Sequence, residues 1–274
     1  MSILTKDFAG DLKFNSKKNW LKRINNQVKV MATVLALWAV SDAAHAELPG
    51  IGYSFSRVVL MADEKATSVS VRNNTDSTYL MQTQIQYADG ATGLPLVKKP
   101  EGTQLPFMVL PPLKRVEPHT DLPLRIIAVP AVAARLPKDR ESLFFISVKA
   151  IPSVTKSEKG EEQTGRMVLA LVNSIKLFYR PSGLQKQAVE QMAGSLNFVR
   201  QGNKVKVINP SAYFVTFASL SVGGKQLSGE QLRAMVPPMG EQFFDLPTTV
   251  GSEVRWRLID EYGLTTNEQH TTMK

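Results

Sequence analysis

The sequence predicts an all-β protein built as two β-sandwiches in tandem. Short alternating or β-branched runs recur from residue 51 to the C-terminus. Pro, Gly and Asn punctuate these runs, and no helical periodicity persists. With 274 residues, 43% of them hydrophobic, the chain can fill one large core or two ordinary ones.

Residues 1–46 are set apart as a secretory signal expected to be cleaved. A basic stretch containing Lys17, Lys18, Lys22, Arg23 and Lys29 precedes an apolar run of 11 residues, Val30 to Val40. The small-x-small pattern Ala44-His45-Ala46 follows, just before Glu47. A helix of that length cannot cross a hydrocarbon core of about 30 Å. The basic stretch is long for such a signal, so translation is expected to start further downstream. Residues 1–46 carry seven of the 33 Lys and Arg and three of the 24 Asp and Glu, leaving the other 228 residues at +5. That mild excess suits solubility and one anion site, and nucleic acid is not an expected partner of an exported chain.

The predicted strands then run in order. Tyr53 to Met61 leads, followed by Ala66 to Arg72 and the turn Asn73-Asn74-Thr75-Asp76. Tyr79 to Tyr87 alternates, with Leu80, Gln82, Gln84 and Gln86 on one side and Tyr79, Met81, Ile85 and Tyr87 on the other. Phe107 to Leu110 stops at Pro111-Pro112, and Leu124 to Val129 and Leu143 to Ile151 end at Pro130 and Pro152. A short helix fits Ala131 to Arg135. Residues 153–165 form a polar loop, and a long strand follows from Arg166 to Tyr179. Past Arg180-Pro181-Ser182-Gly183, strands are expected at 195–199, 204–208, 213–222, 242–246 and 253–259. The break sets the boundary, giving an N-terminal domain over 47–181 and a C-terminal domain over 182–274.

Enzyme chemistry finds little support. The absence of Cys excludes a disulfide framework, a thiol nucleophile and a Cys-based metal site. The three histidines, His45, His119 and His270, have no metal-ligand spacing, and no G-x-S-x-G occurs. Gly-rich stretches at 160–166 and 223–225 do not match a phosphate loop and lie between strands. No metal, cofactor, small-molecule substrate or catalytic residue is expected.

The strand 166–179 is apolar on both faces, with Met167, Leu169 and Leu171 on one and Val168, Ala170 and Val172 on the other. One set can fill a sandwich core. The other needs a cover, since each large apolar side chain left in water forgoes about 1.5–3 kcal/mol. That cover is either another part of the chain or a second polypeptide. Lys176 amid Ile175, Leu177, Phe178 and Tyr179, and Arg57 between Phe55 and Val58-Val59-Leu60, are cations in apolar surroundings. Each calls for a counter-charge, internal or from a ligand.

Four motifs, in order and spacing, resemble the signatures of PapD-like periplasmic pilus chaperones. They are Arg57-Val58-Val59-Leu60, residues 106–112 (P-F-M-V-L-P-P), residues 136–144 (L-P-K-D-R-E-S-L-F) and residues 175–181 (I-K-L-F-Y-R-P). The resemblance spans about 53–274, thinning after 181 to Asn209-Pro210-Ser211-Ala212-Tyr213 and Glu261-Tyr262-Gly263. It implies two immunoglobulin-like domains set in an L around a basic cleft. It also implies a periplasmic chaperone that lends its long strand to pilus subunits and delivers them to an outer-membrane usher.

By the resemblance, Met167, Leu169 and Leu171 fill the subunit's groove, and Arg57 and Lys176 bind its terminal carboxylate. Glu141 and Arg180 make an inter-domain ion pair completed by Glu261, or by its neighbour Asp260. Lys176 and Leu169 differ in strand parity, so a bulge or bend between them is expected. The loop 153–165 is longer than in the short-loop subclass, but the cysteine pair typical of the long-loop subclass is missing, which favours the short-loop, rod-pilus subclass. Self-association of the free chain would cover the exposed strand. A secreted two-domain β-sandwich that binds a ligand or builds a surface structure is the alternative reading.

Overall fold

The computed structural model describes residues 50–89, 92–153, 169–246 and 251–274. The expected signal, most of the polar loop 153–165 and Met167 lie outside the described residues. The first sandwich uses nine strands: β1 (Ile51–Tyr53), β2 (Arg57–Met61), β3 (Ala66–Asn73), β4 (Tyr79–Tyr87), β5 (Phe107–Leu110), β6 (Leu113–Val116), β7 (Asp121–Ala128), β8 (Ser142–Pro152) and β9 (Leu171–Arg180). They form a four-stranded sheet ordered β1-β3-β7-β5 and a five-stranded sheet ordered β2-β9-β8-β4-β6. The expected short helix is α1 (Pro130–Ala133), entered with Pro at its start, where a missing N–H costs nothing.

Alternation decides the faces. In β4, Met81, Thr83 and Ile85 are buried while Leu80, Gln82 and Gln84 are exposed. These core residues meet Val69, Val71, Leu124, Ile126, Ile146 and Leu177 in one cluster between the two sheets. The segment expected as one strand from Tyr53 to Met61 is instead two. β1 pairs antiparallel with β3, and β2 pairs parallel with β9 in the other sheet. The first strand therefore changes sheets at Ser54–Ser56, and β2 comes to lie along only part of β9.

The second sandwich contains β10 (Asn197–Gln201), β11 (Lys204–Asn209), β12 (Phe217–Val222), β13 (Lys225–Gln226), β14 (Gly240–Asp245), β15 (Glu253–Leu258) and β16 (Gln269–Thr272). Its sheets are ordered β10-β11-β14 and β13-β12-β15-β16. The core gathers Phe198, Val205, Val207, Leu220, Phe244 and Leu258 around Trp256, whose indole N–H donates to the Ala193 carbonyl at 2.9 Å. One short helix, α2 (Val189–Met192), leads into this half. The strand expected over 213–222 starts only at Phe217. Ahead of it a turn is built on buried Asn209, whose amide donates to the Tyr213 and Pro237 carbonyls at 2.7 and 3.0 Å.

Candidate functional site

The site is assembled where the outer face of the five-stranded sheet meets the second sandwich. Parallel pairing of β2 with β9 puts Arg57 opposite Lys176 and Val59 opposite Phe178. Val58 and Leu60 belong to the core, so alternation turns Arg57 to the outer face with Lys176. Two cations far apart in sequence thus stand side by side. The second sandwich supplies the rest of the surroundings. Arg57 Nη1 donates to the Ile259 carbonyl at 3.0 Å, Lys176 Nζ lies 3.5 Å from Thr216 Oγ1, and the Phe178 and Phe214 rings stand 6.0 Å apart.

Electrostatically this pair is costly. Arg57 is only 7% exposed, its guanidinium lies over the Phe178 ring at 5.6 Å, and its Nε is buried without a hydrogen-bond partner. Burial lowers the Arg57 pKa to about 10, although Asp260, Glu141 and Glu261 pull the other way. Burial, and then the Arg57 charge, lowers Lys176 to about 8. Neither cation makes an ion pair among the described residues. Arg57 thus feels internal acids only through space, and Lys176 feels no acid, only the Arg57 charge. A carboxylate arriving beside the two cations would relieve their repulsion.

Beside the cations, β9 offers a strand edge. Pairing with β8 runs without a register break from Ala150–Leu171 to Ser142–Tyr179. The bulge or bend expected between Leu169 and Lys176 is not seen from Leu171 onward, where Leu171 and Lys176 face opposite sides of one regular strand. On the other edge, β2 pairs only from Lys176 to Arg180, so among the described residues no strand covers 171–175 there. Leu169 and Leu171 are 71% and 57% exposed, large apolar side chains left uncovered by the described residues. An extended segment pairing with this edge, in line with β2 and parallel to β9, would end at Arg57. Its terminal carboxylate would then meet both cations.

A second charged cluster lies beneath. Arg180 is 2% exposed and donates from Nε to Glu141 Oε1 at 2.5 Å and from Nη2 to Glu261 Oε1 at 2.8 Å. Its Nη1 serves the Gln185 and Lys186 carbonyls, and its guanidinium stacks 4.7 Å over Tyr213. Burial would lower the Arg180 pKa, but Glu141 and Glu261 raise it, holding the charge. Both carboxylates also accept backbone N–H groups, Glu141 from Phe214 at 2.7 Å and Glu261 from Ala188 at 2.9 Å. Asp260, the other candidate acid, instead closes its own turn by accepting from the Tyr262 and Leu264 N–H groups. In that turn Gly263 has φ +84, and a Cβ would collide with Ser56 Oγ, so the turn can approach the residue beside Arg57 only with glycine there.

The structure therefore brings together Arg57 with Lys176, and Glu141 with Arg180 and Glu261. Sequence reasoning missed Thr216 and the Ile259 carbonyl, because both come from the second half of the chain and only tertiary contact reveals them. Among the described residues no cluster of His, Asp and Glu could hold a metal ion, and no helix is long and apolar enough to cross a membrane.

Together these features define a two-sandwich protein that presents, among the described residues, an unpaired strand edge next to the Arg57–Lys176 cation pair. Residues 50–185 match the N-terminal domain of the PapD pili and flagellar-assembly chaperones, and residues 191–270 match the C-terminal domain of PapD pili-assembly chaperones. The chain is 36% identical over 262 residues to the chaperone protein FimC of Escherichia coli K12, covering 94% of this chain and all of that one. Among solved structures, a complex of Salmonella enterica SafA pilin with the SafB chaperone matches with a TM-score of 0.67 and 29% identity, over 83% of this chain and 98% of that one. The periplasmic chaperone SfaE matches at 0.61 and 31%, over 82% of this chain and all of that one. The chain belongs to the PapD family of pili-assembly chaperones.

Proposed function

We propose that this chain is a periplasmic chaperone that holds pilus subunits by lending them β9 and passes them to an outer-membrane usher. The observation that carries the reading is the juxtaposition of a strand edge at 171–175, uncovered among the described residues, with a buried and a half-buried cation that make no ion pair. Met167, Leu169 and Leu171 fill the groove of a subunit that lacks its last strand, and backbone pairing along β9 supplies generic affinity. Arg57 and Lys176 take the subunit's terminal carboxylate, which fixes register and excludes clients that end elsewhere. The Arg180 cluster ties the sandwiches together so that the second half can present Thr216 and the Ile259 carbonyl beside the cations.

This activity needs no catalysis, nucleotide or cofactor. Subunit folding, completed when a neighbouring subunit's extension replaces β9, drives release. The proposed organisation is a signal at 1–46 and domains at 47–181 and 182–274, supported by family matches that end at 185 and resume at 191. The export pattern and the periplasmic SfaE relative support the compartment. A tagged chain purified from its native periplasm tests the reading. One small β-rich partner per chain is expected, ending in an apolar strand with a free carboxyl group. Recovery of the chain without such a partner from cells assembling pili would refute it.

A further inference from the structure

The β9 strand changes character between Val172 and Asn173. Leu169, Leu171 and Val172 are 71%, 57% and 62% exposed, whereas the strand is half-buried at Asn173 and Ser174 and carries buried residues from Ile175 onward. The changeover is held from both faces. On the core face, the single Tyr53 O–H is shared between the Ile146 carbonyl at 3.1 Å and the Asn173 carbonyl at 3.3 Å. Asn173 Nδ2 returns a bond to the Ile51 carbonyl at 3.3 Å. On the outer face, Ser174 Oγ shares a 2.6 Å hydrogen bond with buried Ser147, which also bonds Gln86.

Tyr53 comes from β1, which belongs to the other sheet. Its phenol therefore joins the two layers at the point where β9 leaves the core. An apolar side chain could fill the same space, but only a hydroxyl can hold the two carbonyls of adjacent strands.

We infer that Tyr53 and Asn173 are positioning residues for strand donation, clamping β9 at residue 173 and so fixing the length and register of the segment offered to a client. The inference rests on the strand-lending reading above. Asn173 continues the row of Leu169 and Leu171, but its amide is engaged at home. A client groove is thus filled up to Leu171, and a client requiring an apolar residue one pocket further is disfavoured.

The test uses the full chain, Tyr53→Phe and Asn173→Ala. Backbone hydrogen exchange is followed over 169–175, and binding is measured with a ten-residue Val/Thr peptide carrying a free carboxyl end and with its amide twin. Loss of the clamp should raise exchange over 171–175 by about two- to tenfold and weaken the free-acid peptide by a similar factor. The preference for acid over amide should stay unchanged, because the cation pair is intact. Wild-type exchange and wild-type affinity in both variants would overturn the inference. Failure of the wild-type chain to bind the peptide would refute strand lending alone, since exchange tests the clamp without a ligand.

Discussion

Arg57 and Lys176 are register partners across the parallel β2–β9 pair, a buried and a half-buried cation side by side with no carboxylate in salt-bridge contact with either among the described residues. Such an arrangement costs folding energy. A ligand carboxylate, as proposed above, would offset it.

Lys176→Met should therefore separate folding from capture. Removing one of two mutually repelling buried cations leaves the melting temperature unchanged or higher. Client affinity should fall about 10- to 150-fold, the equivalent of one charge-assisted hydrogen bond of about 1.5–3 kcal/mol. Thermal unfolding alongside client titration checks both halves.

The pH dependence of capture and of stability should run in opposite directions. Lys176 is lowered to about 8 from an ordinary 10.5, by burial first and by Arg57 second. Between those values the unfolded chain holds the extra proton, so stability gained from this group grows as pH rises through the window. A carboxylate, however, needs the charged amine. Client affinity should be flat below about pH 8 and fall above it by up to about tenfold per unit. A titration of the wild-type chain and Lys176→Met between pH 6 and 10 measures the difference.

Leu169→Glu and Leu171→Glu change side chains that touch little of the domain. Stability should stay within about 0.5 kcal/mol of wild type. Client retention should be lost, since a carboxylate would enter an apolar groove. Denaturant melts paired with co-purification yields decide this.

Arg180→Leu strands two buried carboxylates, Glu141 and Glu261, and should cost about 3–5 kcal/mol. Adding Glu261→Gln should recover part of that loss, because the two sites are directly coupled. Burial would raise Glu261, yet the Ala188 N–H and Arg180 hold it below the ordinary carboxylate range. Stability from this group is present above the ordinary value and is lost as pH falls through the lowered one. Acid unfolding of the wild-type chain and Glu261→Gln tests the sign.

Much of this was legible in sequence because strand alternation is a local signal. The faces of β4 follow directly from residues 79–87, and Pro130 and Pro152 bound their elements closely. The oddity of Lys176 and Arg57 could also be read from their apolar neighbours. Their pairing could not, because it depends on the first strand changing sheets at Ser54–Ser56 and running parallel to β9. Parity suggested a bulge only on the assumption that groove-fillers and anchor share a face. The β9 register is regular from Leu171, with Lys176 facing the second sandwich and Leu171 the other way. Thr216 and the Ile259 carbonyl escaped notice because turns centred on Asn209 and Asp260 position them, and such turns carry little hydrophobic pattern.

The most direct test is a crystal structure of this chain bound to its own subunit. The account predicts the subunit's last strand parallel to β9 over 169–175, with its terminal carboxylate hydrogen-bonded to both Arg57 and Lys176. A last strand antiparallel to β9, or a carboxylate bound away from the two cations, would contradict it.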